Sequence, residues 1–398
     1  MSLIDLLSSE ECWRDFYNYK ASLACQKPFL KDLKEYILNK KYLSVIETIN
    51  NGDQFPLPNR SVISKMSSEK KRVVYVYPKA ECTVLKLLTH LLLRQYDSIF
   101  ADNLYSFRPH VTAKDAIKNL LKNSNISKKY SYKVDISNYF NSINIDTFLP
   151  ILKNTLTDDD RLYTFLSSLL TEKRVYDRGK VIAEDKGIMA GTPQSAFYAN
   201  LFLNDLDHYF FNNNITYARY SDDIIVFGNT QEQVNTYANR INKHLSDLGL
   251  NINTSKEIFS SPSDGFVFLG FKVNGNVVDI APATIQKLKS KMRRKARALV
   301  RWKDRNGIDG ESAAKAFIRV FNKKLLDTPE DSELSWSHWF FSVINTSVSL
   351  NEIDLYAQDC IRYIISGKRT KSRFNVKYDN IKKLGYKSLV HEYYNYEK

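Results

Sequence analysis

An α+β fold is the class this sequence predicts, and three observations predict it. Short runs rich in β-branched and aromatic residues, such as Val73-Val74-Tyr75-Val76-Tyr77 and Ile224-Ile225-Val226-Phe227, read as strands. Longer stretches with helical apolar spacing separate them, and from Pro282 onward the pattern is helical to the end. With 398 residues, 43% of them hydrophobic, and few Gly and Pro, the chain can bury two or three domain cores and is not a disordered polymer.

In chain order, residues 3–50 read as two amphipathic helices separated near Pro28, followed by a loop from Gly52 to Pro58. Lys70-Lys71-Arg72 leads into the strand Val73–Tyr77, which Pro78 closes. A buried helix spans Ala80 to Ile99, Tyr105–Pro109 is a loop, and a helix runs from Ala113 to Leu121. Tyr130–Ile136 is a strand carrying Asp135 near its end, and two helices follow at roughly 145–155 and 158–170. The Gly-containing loop Gly187–Pro193 feeds a long helix, Ser195–Phe211. Strand-like flanks then enclose Tyr220-Ser221-Asp222-Asp223, so the acidic pair is expected to form the bend of a hairpin. A helix covers Gln231–Leu248, and short strands at Ile258 and Phe266–Val273 end in a turn at Asn274-Gly275. Loops interrupt the final helices near 306–310, 327–335 and 367–376, and no internal repeat is visible.

A net charge of +14 points to a polyanionic partner or a polyphosphate substrate. The 25 Tyr and 22 Phe suit base stacking and a protein core equally well. Ten Lys or Arg and a single Asp lie between Lys287 and Arg305, either a solvated face or a helix that tracks phosphates. Trp336 and Trp339 share a helix face, as core or as stacking platform. Cys12, Cys25, Cys82 and Cys360 are scattered without zinc-ligand spacing, which predicts reduced thiols in a cytoplasmic protein. The acidic N-terminus does not read as a signal peptide. The most apolar window, Val84–Leu93, is broken by Lys86 and His90, so no membrane span is expected.

Two adjacent carboxylates repel one another unless a cation neutralises them, although a polar hairpin turn is the alternative reading. If the strand ending in Asp135 neighbours that hairpin, three carboxylates converge at one end of a sheet. That is the arrangement for two Mg²⁺ ions about 3.5–4 Å apart, one activating a primer 3′-hydroxyl and the other holding a triphosphate. Two or three Asp suffice because Mg²⁺ shares its oxygen ligands with substrate phosphates.

Several blocks, in order over roughly residues 70–275, resemble reverse transcriptases of the bacterial group II intron and retron kind. These are Ser106-Phe107-Arg108-Pro109 with Asp115-Ala116-Ile117, Lys133–Phe140, Tyr220–Asp223, Leu248–Lys256, and Phe268-Leu269-Gly270-Phe271. The resemblance implies a right-hand polymerase fold: an N-terminal helical extension (1–60), fingers (61–130), a palm with an antiparallel sheet (131–275), and a helical thumb and RNA-binding region (276–398). It implies Asp135, Asp222 and Asp223, with Ile136 beside them, as the metal-holding positions. Phe140 would sit beneath the sugar and clash with a 2′-hydroxyl, or be a core residue. Lys256 would approach the triphosphate and protonate pyrophosphate with a lowered pKa, or be an exposed lysine without a role. Lys71 and Arg72 would clamp phosphates, and Arg108 would serve the nucleotide site or brace the fingers.

One block departs from the family pattern. Where the family carries Pro-Gln, this chain reads Met189-Ala190, and Gln194 one turn on is the candidate substitute. Neither a ribonuclease H carboxylate set nor a Cys/His endonuclease finger is visible after Gly275, so the resemblance narrows to stand-alone phage-defence reverse transcriptases. The expectation is an RNA-directed DNA polymerase that uses Mg²⁺ and deoxynucleotides. A structured non-coding RNA would be its template and DNA its product, with a homo- or hetero-oligomer left open. Template-independent or protein-primed synthesis on the same palm is one alternative. A catalytically inactive RNA-binding scaffold is another.

Overall fold

A computed structural model describes residues 2–23, 27–64, 71–123, 125–326 and 336–396, which form two compact units, 1–261 and 262–398. The N-terminal region of the first unit contains four helices where two were expected: α1 (Leu3–Leu6), α2 (Glu10–Ser22), α3 (Lys27–Leu38) and α4 (Tyr42–Asn51). Ser2 and Ser9 cap α1 and α2 through their hydroxyls, and Gly52 ends α4 in the left-handed region. Pro28 lies in the first turn of α3, where no intrahelical N–H is needed. The helices are fastened by Trp13, fully buried and stacked on Tyr42 at 4.8 Å.

Strands β1 (Asn59–Ser64) and β2 (Lys71–Val76) pair antiparallel, and α5 (Lys79–Gln95) and α6 (Ala113–Lys122) follow. Next come β3 (Tyr130–Asp135), α7 (Tyr139–Ser142), α8 (Ile145–Thr155) and α9 (Asp160–Thr171). A hairpin of β4 (Arg174–Asp177) and β5 (Lys180–Ala183) extends the β1–β2 pair into a sheet of order β2-β1-β4-β5. The long helix expected at 195–211 divides into α10 (Ser195–Phe202) and α11 (Asn204–Asn212), with Leu203 as the break. The candidate hairpin is β6 (Tyr217–Tyr220) and β7 (Asp223–Gly228), followed by α12 (Gln231–Asp247) and β8 (Ile258–Ser260).

The second sheet has the order β6-β7-β3-β8 and is antiparallel throughout. Tyr132 and Val134 of β3 lie opposite Val226 and Ile224, and all four are completely buried. The alternation of a strand therefore places Lys133 and Asp135 on the opposite face. One buried cluster, from the N-terminal helices to Leu250, supports this sheet.

The second unit opens with a three-stranded meander, β9 (Phe266–Phe268), β10 (Phe271–Asn274) and β11 (Val277–Ile280). Helices α13 (Pro282–Asn306), α14 (Gly310–Leu325), α15 (Trp336–Phe341), α16 (Val348–Ser366), α17 (Tyr378–Lys383) and α18 (Leu389–Tyr394) complete it. Trp336 packs on Phe340 at 4.8 Å and Trp339 on Phe271 at 6.4 Å, so both indoles contribute to this unit's interior packing. The loop at 327–335 lies outside the described residues, as does Cys25. Among the described residues, no helix is long and apolar enough to cross a membrane.

Candidate active site

Asp135 ends β3 in register with Asp223, the first residue of β7. The turn differs from the expected one. Tyr220 and Asp223 are already paired, so the bend consists of Ser221 and Asp222, with Ser221 at φ +60°. A turn that needs positive φ at its first position favours Gly, and a Ser held there stores backbone strain of about 1–3 kcal/mol. The two adjacent aspartates are thus inequivalent: Asp223 belongs to the strand, and Asp222 projects from the turn.

The neighbourhood of Asp135 is tightly stitched. The Ile136 N–H donates to the Asp222 carbonyl at 3.1 Å, Asn253 N–H to the Asp135 carbonyl at 2.7 Å, and Ser137 N–H to the Asn251 carbonyl at 2.8 Å. The segment 251–253 therefore flanks Asp135 and Ile136 on one side and the hairpin turn on the other. Asp222 has its carboxyl pKa raised, first by burial and then by the negative charge of Asp135, with Asp223 adding less. The three carboxylates act on one another electrostatically, as the sequence argument required.

Two lysines answer that charge. Lys256 donates to Asp135 Oδ2 at 2.7 Å, and Lys133 lies 3.4 Å from Asp223 Oδ1. Burial alone would lower the Lys256 pKa, but the hydrogen bond and charge of Asp135, with Asp223 and Asp222 behind it, raise it overall. The expected lowering is therefore reversed: a lysine among carboxylates keeps its proton. Lys133 and Asn253, whose amide is 3.4 Å from Asp135 Oδ1, were given no role by the sequence argument, although both lie inside the blocks it used.

Among the described residues, no group of three His, Cys, Asp or Glu is gathered closely enough to hold a metal ion by itself. The donor set nevertheless fits a divalent ion that shares its ligands with phosphate. Its carboxylates meet at one sheet end, ionisation of Asp222 is disfavoured by burial and by the charge of Asp135, and an ammonium already stands on Asp135.

An aromatic group borders the carboxylates. Phe140 is half-buried and meets Phe107 edge-on at 6.3 Å, and Phe107 lies 6.4 Å from Tyr220. Phe107 has φ +57°, held by its neighbour Ser106, which exchanges hydrogen bonds with buried Asn200 of α10 at 2.9 and 2.7 Å. Arg108 takes the bracing role of its two alternatives. Its guanidinium forks onto Asp97 at 2.9 and 3.0 Å and donates to the carbonyls of Ala101 and Leu104.

The departing loop is fixed as well. Tyr75 N–H of β2 donates to the Ala190 carbonyl at 2.8 Å, Ala190 N–H to Asn141 Oδ1 at 3.1 Å, and Ile188 N–H to the Phe140 carbonyl at 2.9 Å. Met189 and Ala190 are buried, and Gln194 is only 1% exposed with neither amide atom hydrogen-bonded. In this conformation Gln194 offers no group to a ligand in solvent. Arg72 is exposed on β2, opposite Ile63, while the Lys71 side chain lies outside the described part of the structure.

Gly187 is needed for close approach: a Cβ there would lie 2.5 Å from the Phe140 carbonyl oxygen and 2.7 Å from the Asn141 carbonyl carbon. Gly187→Ala is therefore expected to cost about 1–3 kcal/mol, read as a lower urea midpoint, because backbone and not a flexible side chain must give way. An unchanged midpoint would contradict the packing described.

Beneath the turn lies a buried pair that sequence reasoning passed over. Arg219 of β6 and Asp207 of α11 are both fully buried, with Arg219 Nε 2.9 Å from Asp207 Oδ1. The Arg219 guanidinium also donates to the carbonyls of Ser221 and Asn200, and Tyr217 donates its hydroxyl to Asp207 at 2.9 Å. No periodicity marks a charged residue as interior, so nothing in the sequence pattern could have assigned this pair.

Residues 63–273 match the family described as Reverse transcriptase (RNA-dependent DNA polymerase). The chain is 23% identical over 205 residues to the Group II intron-encoded protein LtrA of Lactococcus lactis subsp. cremoris, covering 50% of this chain and 32% of that protein. The same protein from strain MG1363 matches equally. The chain thus spans about a third of the length of these curated relatives. Among solved structures, telomerase from Candida tropicalis in complex with a TWJ fragment of telomeric RNA is 11% identical, with a TM-score of 0.47 over 83% of this chain and 64% of that one. The Candida albicans counterpart is 12% identical, with a TM-score of 0.45 over 88% and 70%. With its antiparallel carboxylate-bearing sheet and a family match over more than half its length, the chain belongs to the reverse transcriptase (RNA-dependent DNA polymerase) family.

Proposed function

We propose that the chain is an RNA-directed DNA polymerase that extends a 3′-hydroxyl with deoxynucleotides, using Mg²⁺ held by Asp135, Asp222, Asp223 and the Ile136 backbone. The observation that supports this most is the register of Asp135 with Asp223 beside a turn in which burial, and then the charge of Asp135, disfavours ionisation of Asp222. When bound, Mg²⁺ supplies activation of the hydroxyl and charge stabilisation of the departing pyrophosphate. Lys256 exchanges Asp135 for triphosphate oxygens while keeping its proton, and Arg72 meets the phosphates from β2. Primer extension on an oligo(dT)-primed poly(rA) template, with and without Mg²⁺, tests the reading. No incorporation under any divalent ion would overturn it.

Phe140 is the residue proposed to exclude a 2′-hydroxyl. Phe140→Ala is expected to raise ribonucleotide over deoxynucleotide incorporation by roughly 10–100-fold in a competition assay, the scale of one lost steric contact. An unchanged ratio would return Phe140 to the role of a packing residue.

The second reading, template-independent or protein-primed synthesis, is favoured by one observation: Met189, Ala190 and Gln194 are all buried, so this loop presents no side-chain amide to a template. Homopolymer made from a single labelled deoxynucleotide without RNA would decide for it. Protease-sensitive DNA would add a protein primer. The net charge of +14 supports a structured non-coding RNA as partner, and the resemblance to phage-defence enzymes supports antiphage defence as the setting. Sequencing the nucleic acid that copurifies before and after infection tests both.

A further inference from the structure

Within the second unit, α13, α16 and the segment after Gly367 enclose a cleft of about 290 Å³. Its chemistry is one-sided. Arg293 and Arg297 enter from α13 one helical turn apart, Arg369 and Arg373 enter from the segment beyond α16, and Asp359 is the only carboxylate on the lining. Four guanidiniums therefore face one carboxylate. Tyr356 and Tyr363 of α16 complete the walls.

The guanidiniums are held to different degrees. Arg373 is committed to structure: its Nε lies 2.6 Å from Asp359 Oδ1, and its Nη1 donates to the Arg369 and Thr370 carbonyls at 2.6 and 3.2 Å. Arg293 donates to the Tyr356 hydroxyl at 2.9 Å. Arg369 lies over the Tyr363 ring at 5.2 Å, a contact that leaves its N–H fork unspent. Arg297 is exposed, and no hydrogen bond or ion pair engages it among the described residues. Asp359 thus neutralises Arg373, and three positive charges remain in one small concavity.

Like charges so confined repel unless an anion joins them, and guanidinium forks match phosphate oxygens in pairs. A backbone phosphodiester carries a single negative charge and would leave most of this charge unanswered. A 5′-polyphosphate concentrates three or four charges on adjacent phosphorus centres. We infer that this cleft is a binding site for the 5′-polyphosphate of a nucleotide, at a free nucleoside triphosphate or at the 5′ end of an RNA. It is separate from the carboxylate site of the first unit in residues and in chemistry, since it needs no divalent ion.

The test uses the full chain in EDTA, which removes metal-dependent triphosphate binding at the carboxylates. Fluorescence anisotropy compares one RNA 12-mer bearing a 5′-triphosphate or a 5′-hydroxyl, with inorganic tripolyphosphate and ATP as competitors. The triphosphate end is expected to bind at least about tenfold more tightly, the scale of one charge-assisted hydrogen bond, with tripolyphosphate abolishing the difference. ATP competing as well as tripolyphosphate assigns the site to free nucleotide. Competition by the triphosphate RNA at far lower concentration than ATP assigns it to the RNA end. Arg297→Gln with Arg369→Gln, both at exposed positions with no ion pair to lose among the described residues, is expected to bring the ratio to about one, while Arg297→Lys keeps part of it. Equal affinity for both RNAs in the wild type, or a double variant that keeps the ratio, would overturn the inference.

Discussion

Asp222→Asn is expected to lower nucleotide incorporation by about 10³-fold or more, since on the proposed reading Asp222 helps hold a catalytic cation, and such a carboxylate carries several kcal/mol of transition-state stabilisation. The same substitution is expected to stabilise the fold in EDTA. Asp222 has a folded pKa above its ordinary value, from burial and from Asp135 and Asp223, so ionising it costs more in the folded protein than in the unfolded chain. That penalty is absent below the unfolded pKa, grows as pH rises, and is complete above the folded pKa. Asn escapes it, so the variant should gain stability at neutral pH and lose that advantage on acidification. Urea melts in EDTA at several pH values, beside single-turnover primer extension, read both effects. Substantial activity in the variant would remove Asp222 from the metal site. Equal stability at neutral pH would deny the electrostatic strain.

The second large effect concerns the support of the turn. Asp207→Ala leaves Arg219 fully buried without its carboxylate and is expected to cost about 3–5 kcal/mol, as breaking one partner of a buried pair does. The urea midpoint should fall while the slope stays constant, the mark of lost stability and not of a changed denatured state. Replacing both partners, Asp207→Leu with Arg219→Met, should recover most of the loss, because no buried charge is left alone. Incorporation should not recover in parallel. Arg219 also holds the Ser221 carbonyl at 3.3 Å, and a Met there removes that anchor from the turn carrying Asp222. An Asp207→Ala variant within about 1 kcal/mol of wild type would show that the buried pair does not support the fold in this way.

These expectations show what the residue pattern revealed and what it concealed. The candidate carboxylates Asp135, Asp222 and Asp223 were legible because they border strand-like runs of aromatic and β-branched residues, and strand pairing leaves such ends few places to go. The bend itself was misplaced by one residue, since nothing in a Ser announces the positive φ of Ser221. Strand β1 was missed because Asn59-Arg60-Ser61 opens it with polar residues. The β4–β5 hairpin was passed over because its strands are only four residues long and mostly exposed, although Arg178-Gly179, both at positive φ, is a turn with the chemistry of a tight hairpin. The break at Leu203 has no Gly or Pro to mark it, and α10 is buried almost all round, so apolar spacing ran on unbroken. Arg219 and Asp207 were invisible for a different reason: charge reads as surface until a partner is known.

The loop at Met189-Ala190 has a mechanical meaning as well as a chemical one. It joins β2, through Tyr75, to the short helix carrying Phe140, through Asn141 and the Phe140 carbonyl, with Gly187 too close to that backbone to slip. The strand carrying Arg72 and the helix carrying Phe140 are therefore joined by one hydrogen-bonded loop. On the proposed roles, the strand that would meet the triphosphate and the helix that would meet the sugar are thus tied together through this one loop.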